Sequence, residues 1–258
     1  MLNTQNIDHA IENGYDLKIT EYFSRGWEYF KLRPLEYVGY IAVMFMITMF
    51  VNFIPVLGFI ISIIVSPALS VGVPIFTQKL SRDEPAEFSN FFDGFKKLTP
   101  LIVAYVLMLL IYFIVALPMI FVVGFSVFAS LAGGDPENTL ESIQALTSMG
   151  IWIFLFFLII MYVAVSLRWV LYLVYFHGYD AVEAIKTSWK LTNKKWLLHL
   201  GFVLLGGLLI IAGAFALVVG LLVAVPLYYA ADYIGYADVT GLDQEDVLDE
   251  IGKDYDTV

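Results

Sequence analysis

A chain of 258 residues that is 60% hydrophobic and only 15% charged falls outside soluble globular domains, which hold roughly 45–50% apolar and about 25% charged residues. It contains no cysteine, which excludes a disulfide frame, a thiolate metal site and a cysteine nucleophile. Most of the net charge of −10 resides in residues 237–258, where eight acids stand against one Lys, so the rest of the chain is close to neutral.

Residues 1–18 are polar and show no basic-then-apolar leader, so a cleaved signal peptide is not expected. Ile19, Tyr22, Phe23 and Phe30 then share one helical face, with Glu21, Arg25 and Glu28 elsewhere. A helix needs about 20 apolar residues to cross a ~30 Å hydrocarbon core. Residues 34–53 supply the first span, and Pro34 suits a first helical position, where its missing N–H is not needed. The second span, 58–77, contains Pro67 and Pro74 and is expected to kink. The carbonyls that these prolines free need partners from neighbouring helices or hydroxyl side chains. Phe88, Phe91, Phe92 and Phe95 follow at i, i+3, i+4 and i+7, a second helical stripe.

The third span begins at Pro100. Its apolar run, 101–132, would measure about 48 Å as a helix, too long for one upright crossing. Pro118 is expected to break it into a crossing and a surface segment. The loop 133–148 carries acids and no bases. Span four covers 150–174, and Val182, Ile185 and Trp189 form a third amphipathic stripe. The run 196–236 divides into two spans with a tight hairpin near Gly213. Ala216 and Gly220 stand at small-xxx-small spacing, which favours close helix packing. In the tail 237–258, Leu242, Val247, Leu248 and Ile251 lie among the acids. The tail is either solvated or a short helix that docks a soluble partner.

The Lys and Arg residues fix a threading. Lys18, Arg25, Lys31 and Arg33 precede span one; Lys79, Arg82, Lys96 and Lys97 lie between spans two and three; Lys186, Lys190, Lys194 and Lys195 lie between spans four and five. Arg168 sits near the end of span four, Lys253 is in the tail, and the other three connections carry no base. This bias places both termini in the cytoplasm. The three amphipathic segments also repeat a core: Phe23…Gly26-Trp27, Phe91…Gly94-Phe95 and Ile185…Ser188-Trp189. Each precedes a pair of spans, and units of this kind pack around a shared centre. The segments serve as interface anchors, or as a collar that contacts lipid headgroups or a partner through Trp27, Phe95, Trp189, Lys190, Lys194 and Lys195.

Catalytic chemistry has few footholds. His9, His177 and His199 have no ligand-pair spacing, and the two later histidines read as boundary residues. No phosphate-binding loop, dinucleotide fingerprint or GxSxG motif occurs. Arg168 is 18 residues from Gly150, about 27 Å along a helix, where it can snorkel to the inner interface, pair within the bundle, or meet a phosphate. Glu36 and Asp232 are placed at inner edges, and the lack of a deeper acid counts against an ion-driven carrier. No cofactor, metal or nucleic acid is expected.

The stretch from Ala184 to Thr192, followed by Trp196, an apolar hairpin with Val219-Gly220 and Pro226, and Tyr233, resembles a widespread group of bacterial six-span proteins. This group includes the membrane domain of glycerophosphodiester phosphodiesterases and stand-alone relatives. Phe92-Asp93-Gly94-Phe95-Lys96-Lys97 and Arg168 resemble the same pattern, and the likeness covers most of 20–236. It implies an all-α membrane domain over 19–236 in the bacterial cytoplasmic membrane. It implies no catalysis, because the phosphodiesterase activity belongs to a separate soluble domain. The expected function is a non-enzymatic scaffold, partner-binding or lipid-interacting module. The alternative is a facilitator or lipid or small-molecule transporter with a cavity near the kinked spans; an intramembrane enzyme ranks last.

Overall fold

The computed structural model describes residues 5–54, 56–132 and 139–242. The expectations about Val247, Leu248 and Ile251, and about 133–138 of the loop, lie outside these residues; the rest of the expected loop, 139–148, is helical rather than irregular. Two short helices open the chain, α1 (Gln5–Asn13) and α2 (Ile19–Leu32), followed by α3 (Pro34–Asn52), α4 (Leu57–Ser70) and α5 (Gly72–Ser81). A 3-10 helix at Phe88–Lys97 leads into α6 (Leu98–Ala132); then come α7 (Thr139–Ser166), α8 (Val170–Phe176), α9 (Ala181–Lys194), α10 (Trp196–Phe215) and α11 (Leu217–Thr240). Six of these stretches are long and apolar enough to cross a bilayer, and the described residues contain no strand. The fold is an all-α polytopic membrane bundle.

Each span packs on the next: α3 on α4, α4 on α6, α6 on α7, α7 on α10 and α10 on α11. The ring closes where α11 meets α3 and α5, and α2 lies along α11. The end of the bundle that carries the Lys and Arg residues is filled with aromatic side chains. Tyr22, Tyr37, Tyr40, Phe76, Phe91, Trp169, Tyr233 and Tyr236 are fully buried, and Phe91 stacks between Tyr40 and Phe76 at ring separations of 4.4 and 4.1 Å. At the opposite end the helices present Phe121, Phe154, Phe157 and Phe215 outward, as an apolar medium permits.

The small residue of each amphipathic segment meets the backbone of a spanning helix. A Cβ on Gly94 would overlap the carbonyl oxygen of Ala68 in α4, and one on Gly26 would press on the Ala231 amide nitrogen in α11. Ser188 Oγ donates to the Ser166 carbonyl in α7 at 2.9 Å. Small side chains at these positions therefore set how closely the segments approach the bundle. The second segment is a 3-10 helix rather than the α-helix its phenylalanine spacing suggests. A reciprocal side-chain cap between Glu87 and Asn90 starts it, and of its four phenylalanines only Phe91 is buried.

The second span breaks at Val71, between Pro67 and Pro74, as expected. Span three differs from expectation: α6 runs unbroken through Pro118. One proline removes a single backbone bond, whereas ending the helix in hydrocarbon would strand several polar groups. At 35 residues the helix is about 52 Å long, so it tilts or projects beyond the hydrocarbon. Span four breaks where no proline announces it, at 167–169. There Val170 N–H bonds to the Leu167 carbonyl, and Ser188 and Thr192 hydroxyls donate to the Ser166 carbonyl. At the hairpin near Ala216, Gly213 and Gly220 touch backbone to backbone, leaving no room for a Cβ on either.

Candidate functional site

The break in span four turns Arg168, Trp169 and Tyr172 into the bundle, where Asp232 of α11 collects them. The Arg168 guanidinium donates to Asp232 Oδ1, Trp169 Nε1–H donates to the same oxygen at 3.1 Å, and the Tyr172 hydroxyl donates to Oδ2 at 3.0 Å. The Arg168 and Asp232 side chains are only 7% and 6% exposed. The guanidinium also lies over the Phe202 ring, 4.3 Å from its centre, so its flat face rests on π density. Its Nε–H has no acceptor among the described residues.

A second chain of bonds leads from Arg168 toward the N-terminal segment. Arg168 Nη1 lies 3.1 Å from His199 Nδ1. A guanidinium can only donate, so Nδ1 is the acceptor and the neutral His199 carries its proton on Nε2. Nε2–H then donates to the Tyr15 hydroxyl, 2.6 Å away, and Tyr15 donates in turn to the Leu191 carbonyl at 2.8 Å. Every proton in the relay therefore has one direction, from Arg168 to the end of α9. Burial pushes the Tyr15 hydroxyl well above the usual phenol range, outweighing the opposing pull of Arg168, so it remains a donor. Tyr22 is raised likewise, by burial and by its bond to Asp238, which ties α2 to α11 at 2.6 Å.

Asp232 and His199 are not at a solvated edge: they are 4% and 0% exposed. Arg168 pairs within the bundle, with Asp232. The other candidate residues stand apart from this cluster. Trp27 is 41% exposed and stacks on Phe30; Phe95 is 38% exposed. Trp189 sets its ring edge against Tyr162. Lys194 Nζ reaches the Glu12 carbonyl at 3.4 Å. Lys195 is exposed and lines a cleft with Asn13, Gly14, Tyr15 and Asp16. Lys190 is exposed. Among the described residues, no three His, Asp or Glu side chains converge to hold a metal ion.

Tyr15, Trp169 and Tyr172 carry no signal in the sequence. Nothing local marks them: Tyr15 and His199 are 184 positions apart, and Trp169 and Tyr172 are two aromatics among many.

The segment that carries Arg168, Asp232 and His199 falls within residues 69–237, which match the family model for the membrane domain of glycerophosphoryl diester phosphodiesterase. The match spans more than half of the chain. The chain belongs to that family. No curated protein and no solved structure matches it. Membership and the six apolar helices together make it an integral, multi-pass membrane protein. In this member of the glycerophosphoryl diester phosphodiesterase membrane-domain family, Tyr15, the far end of the relay, comes from outside the matched region.

Proposed function

We propose that this protein is a non-enzymatic scaffold of the bacterial cytoplasmic membrane, which engages lipid headgroups and a protein partner at its cytoplasmic end. The mutual neutralisation of Arg168 and Asp232 inside a filled aromatic interior carries this reading. The charges within the spans are occupied with each other, whereas Trp27, Phe95, Lys194 and Lys195 stand on the surface. Aromatic rings beside lysines suit a headgroup layer, and the acidic tail suits a basic protein surface. Affinity purification in mild detergent, with bound proteins and lipids identified by mass spectrometry, tests it. A stoichiometric protein partner, lost when the chain is cut after Leu242, is expected. Its absence, together with solute flux in proteoliposomes, would overturn the reading.

A facilitator or lipid transporter is the second reading. It is favoured by an apolar cavity of about 450 Å³ at the open end of the bundle, lined by Ala116, Met119, Ile120, Gly124 and Phe156. Fluorescent-lipid flipping in proteoliposomes separates the two: a rate above that of protein-free vesicles belongs to the transporter alone.

A further inference from the structure

The cleft between the end of α1 and the start of α10 has a volume of about 270 Å³ and is lined by Asn13, Gly14, Tyr15, Asp16 and Lys195. Its lining is mostly polar and holds one charge of each sign. Neither the Asp16 carboxylate nor the Lys195 ammonium has an ion pair or hydrogen bond among the described residues. The Tyr15 hydroxyl is spent on Leu191 and His199, so its ring is a fixed wall. Immediately after Lys195, the apolar span α10 begins, and Leu197 and Leu198 are 75% and 41% exposed. A polar cleft with one cation and one anion thus lies at the start of an apolar span whose exposed leucines follow its lysine in sequence.

We propose that this cleft holds the headgroup of a phosphatidylethanolamine molecule, its phosphate on Lys195 and its ammonium on Asp16, with the acyl chains along Leu197 and Leu198. A purely anionic headgroup satisfies Lys195 but is repelled by Asp16. A trimethylated ammonium lacks the N–H groups that a carboxylate prefers as donors. The phosphoethanolamine group satisfies both side chains. Lys194 and Lys18 do not compete for the site: the first reaches the Glu12 carbonyl and the second pairs with Glu21.

The inference rests on the headgroup-binding part of the proposed function, which it makes specific, and is tested apart from partner capture. The full chain, delipidated in detergent, is unfolded by heat with added dioleoyl phosphatidylethanolamine, phosphatidylcholine, phosphatidylglycerol or soluble glycerophosphoethanolamine. The ethanolamine lipid is expected to raise the unfolding temperature by several degrees, and each of the others by no more than about half as much, since a ligand of the folded state at free concentration L stabilises it by RT ln(1 + L/Kd), which is larger for the tighter binder. Lys195→Met and Asp16→Asn are expected to leave the lipid-free unfolding temperature unchanged and to abolish the ethanolamine preference, with Asp16→Asn accepting phosphatidylglycerol. Equal shifts from all three lipids, an equal shift from the soluble headgroup, or variants that keep the full preference would overturn it. Native mass spectrometry of the unmodified protein gives a second readout, in which retained ethanolamine lipid must exceed its share of the membrane. Loss of the lipid preference leaves partner capture standing, and failed partner capture leaves the lipid shift standing.

Discussion

Arg168 and Asp232, 64 residues apart in sequence, form the ion pair around which the packed end of the bundle closes. Two further donors, from Trp169 and Tyr172, complete the carboxylate's shell. A buried pair of this kind stabilises little compared with an apolar pair, but removing one partner strands the other charge. Asp232→Asn is therefore expected to lower stability by about 3–5 kcal/mol, read as a drop in unfolding temperature in detergent. The double variant Arg168→Met with Asp232→Leu removes both charges and is expected to be more stable than Asp232→Asn. A double variant that is no better would mean that the pair is held for its hydrogen bonds rather than its charge balance.

Gly94 and Gly207 give opposite expectations for the same substitution. Gly94→Ala forces a methyl group onto the Ala68 carbonyl and is expected to destabilise by about 1–3 kcal/mol, as overpacking does. Gly207→Ala meets nothing within 4 Å and lies inside α10, where alanine is favoured by about 0.5–1 kcal/mol. Thermal unfolding of the two variants side by side checks both signs, and a neutral Gly94→Ala would remove the close approach of the second segment to α4.

His177, just past the Trp152–Phe176 span, gives the fold a pH dependence. Burial lowers its pKa from 6.5 to about 4, and its Nδ1 pairs with the Tyr236 hydroxyl. Above pH 6.5 both folded and unfolded states are neutral at this residue and stability is flat. Between 6.5 and 4 the unfolded chain takes up a proton that the folded chain refuses, so stability falls as pH drops, by up to about 1.4 kcal/mol per pH unit. Below 4 the folded state protonates too and this contribution levels off. His177→Gln is expected to flatten the 4–6.5 window in a denaturation series.

The absence of cysteine makes the threading directly measurable. Asn13→Cys and Gly150→Cys each introduce a single thiol. In intact cells a membrane-impermeant maleimide is expected to label residue 150 alone, and after permeabilisation both. Labelling of residue 13 in intact cells would reverse the orientation derived from the Lys and Arg residues.

Several boundaries were legible because they depend on nearby residues. Pro34 opens α3, the pair Pro67 and Pro74 brackets the break at Val71, and Gly213 marks the hairpin. Pro118 misled, because a local breaker is overruled where the surrounding medium offers no other hydrogen-bond partners. The break at 167–169 had no local cause: the hydroxyls of Ser188 and Thr192, supplied by another helix, are what satisfy the carbonyl exposed there.

The sequence by itself determined that the chain enters a bilayer and where its spans lie, since the hydrophobic effect sums along consecutive residues and needs no knowledge of neighbours in space. Only the tertiary structure decided what the charged residues do. Arg168 could equally have reached for water, and Asp232 stands in a stretch that reads as a helix edge. Their meeting, and the relay through His199 to Tyr15, depend on four distant segments converging in a medium of low dielectric, where an unpaired charge is too costly to leave alone.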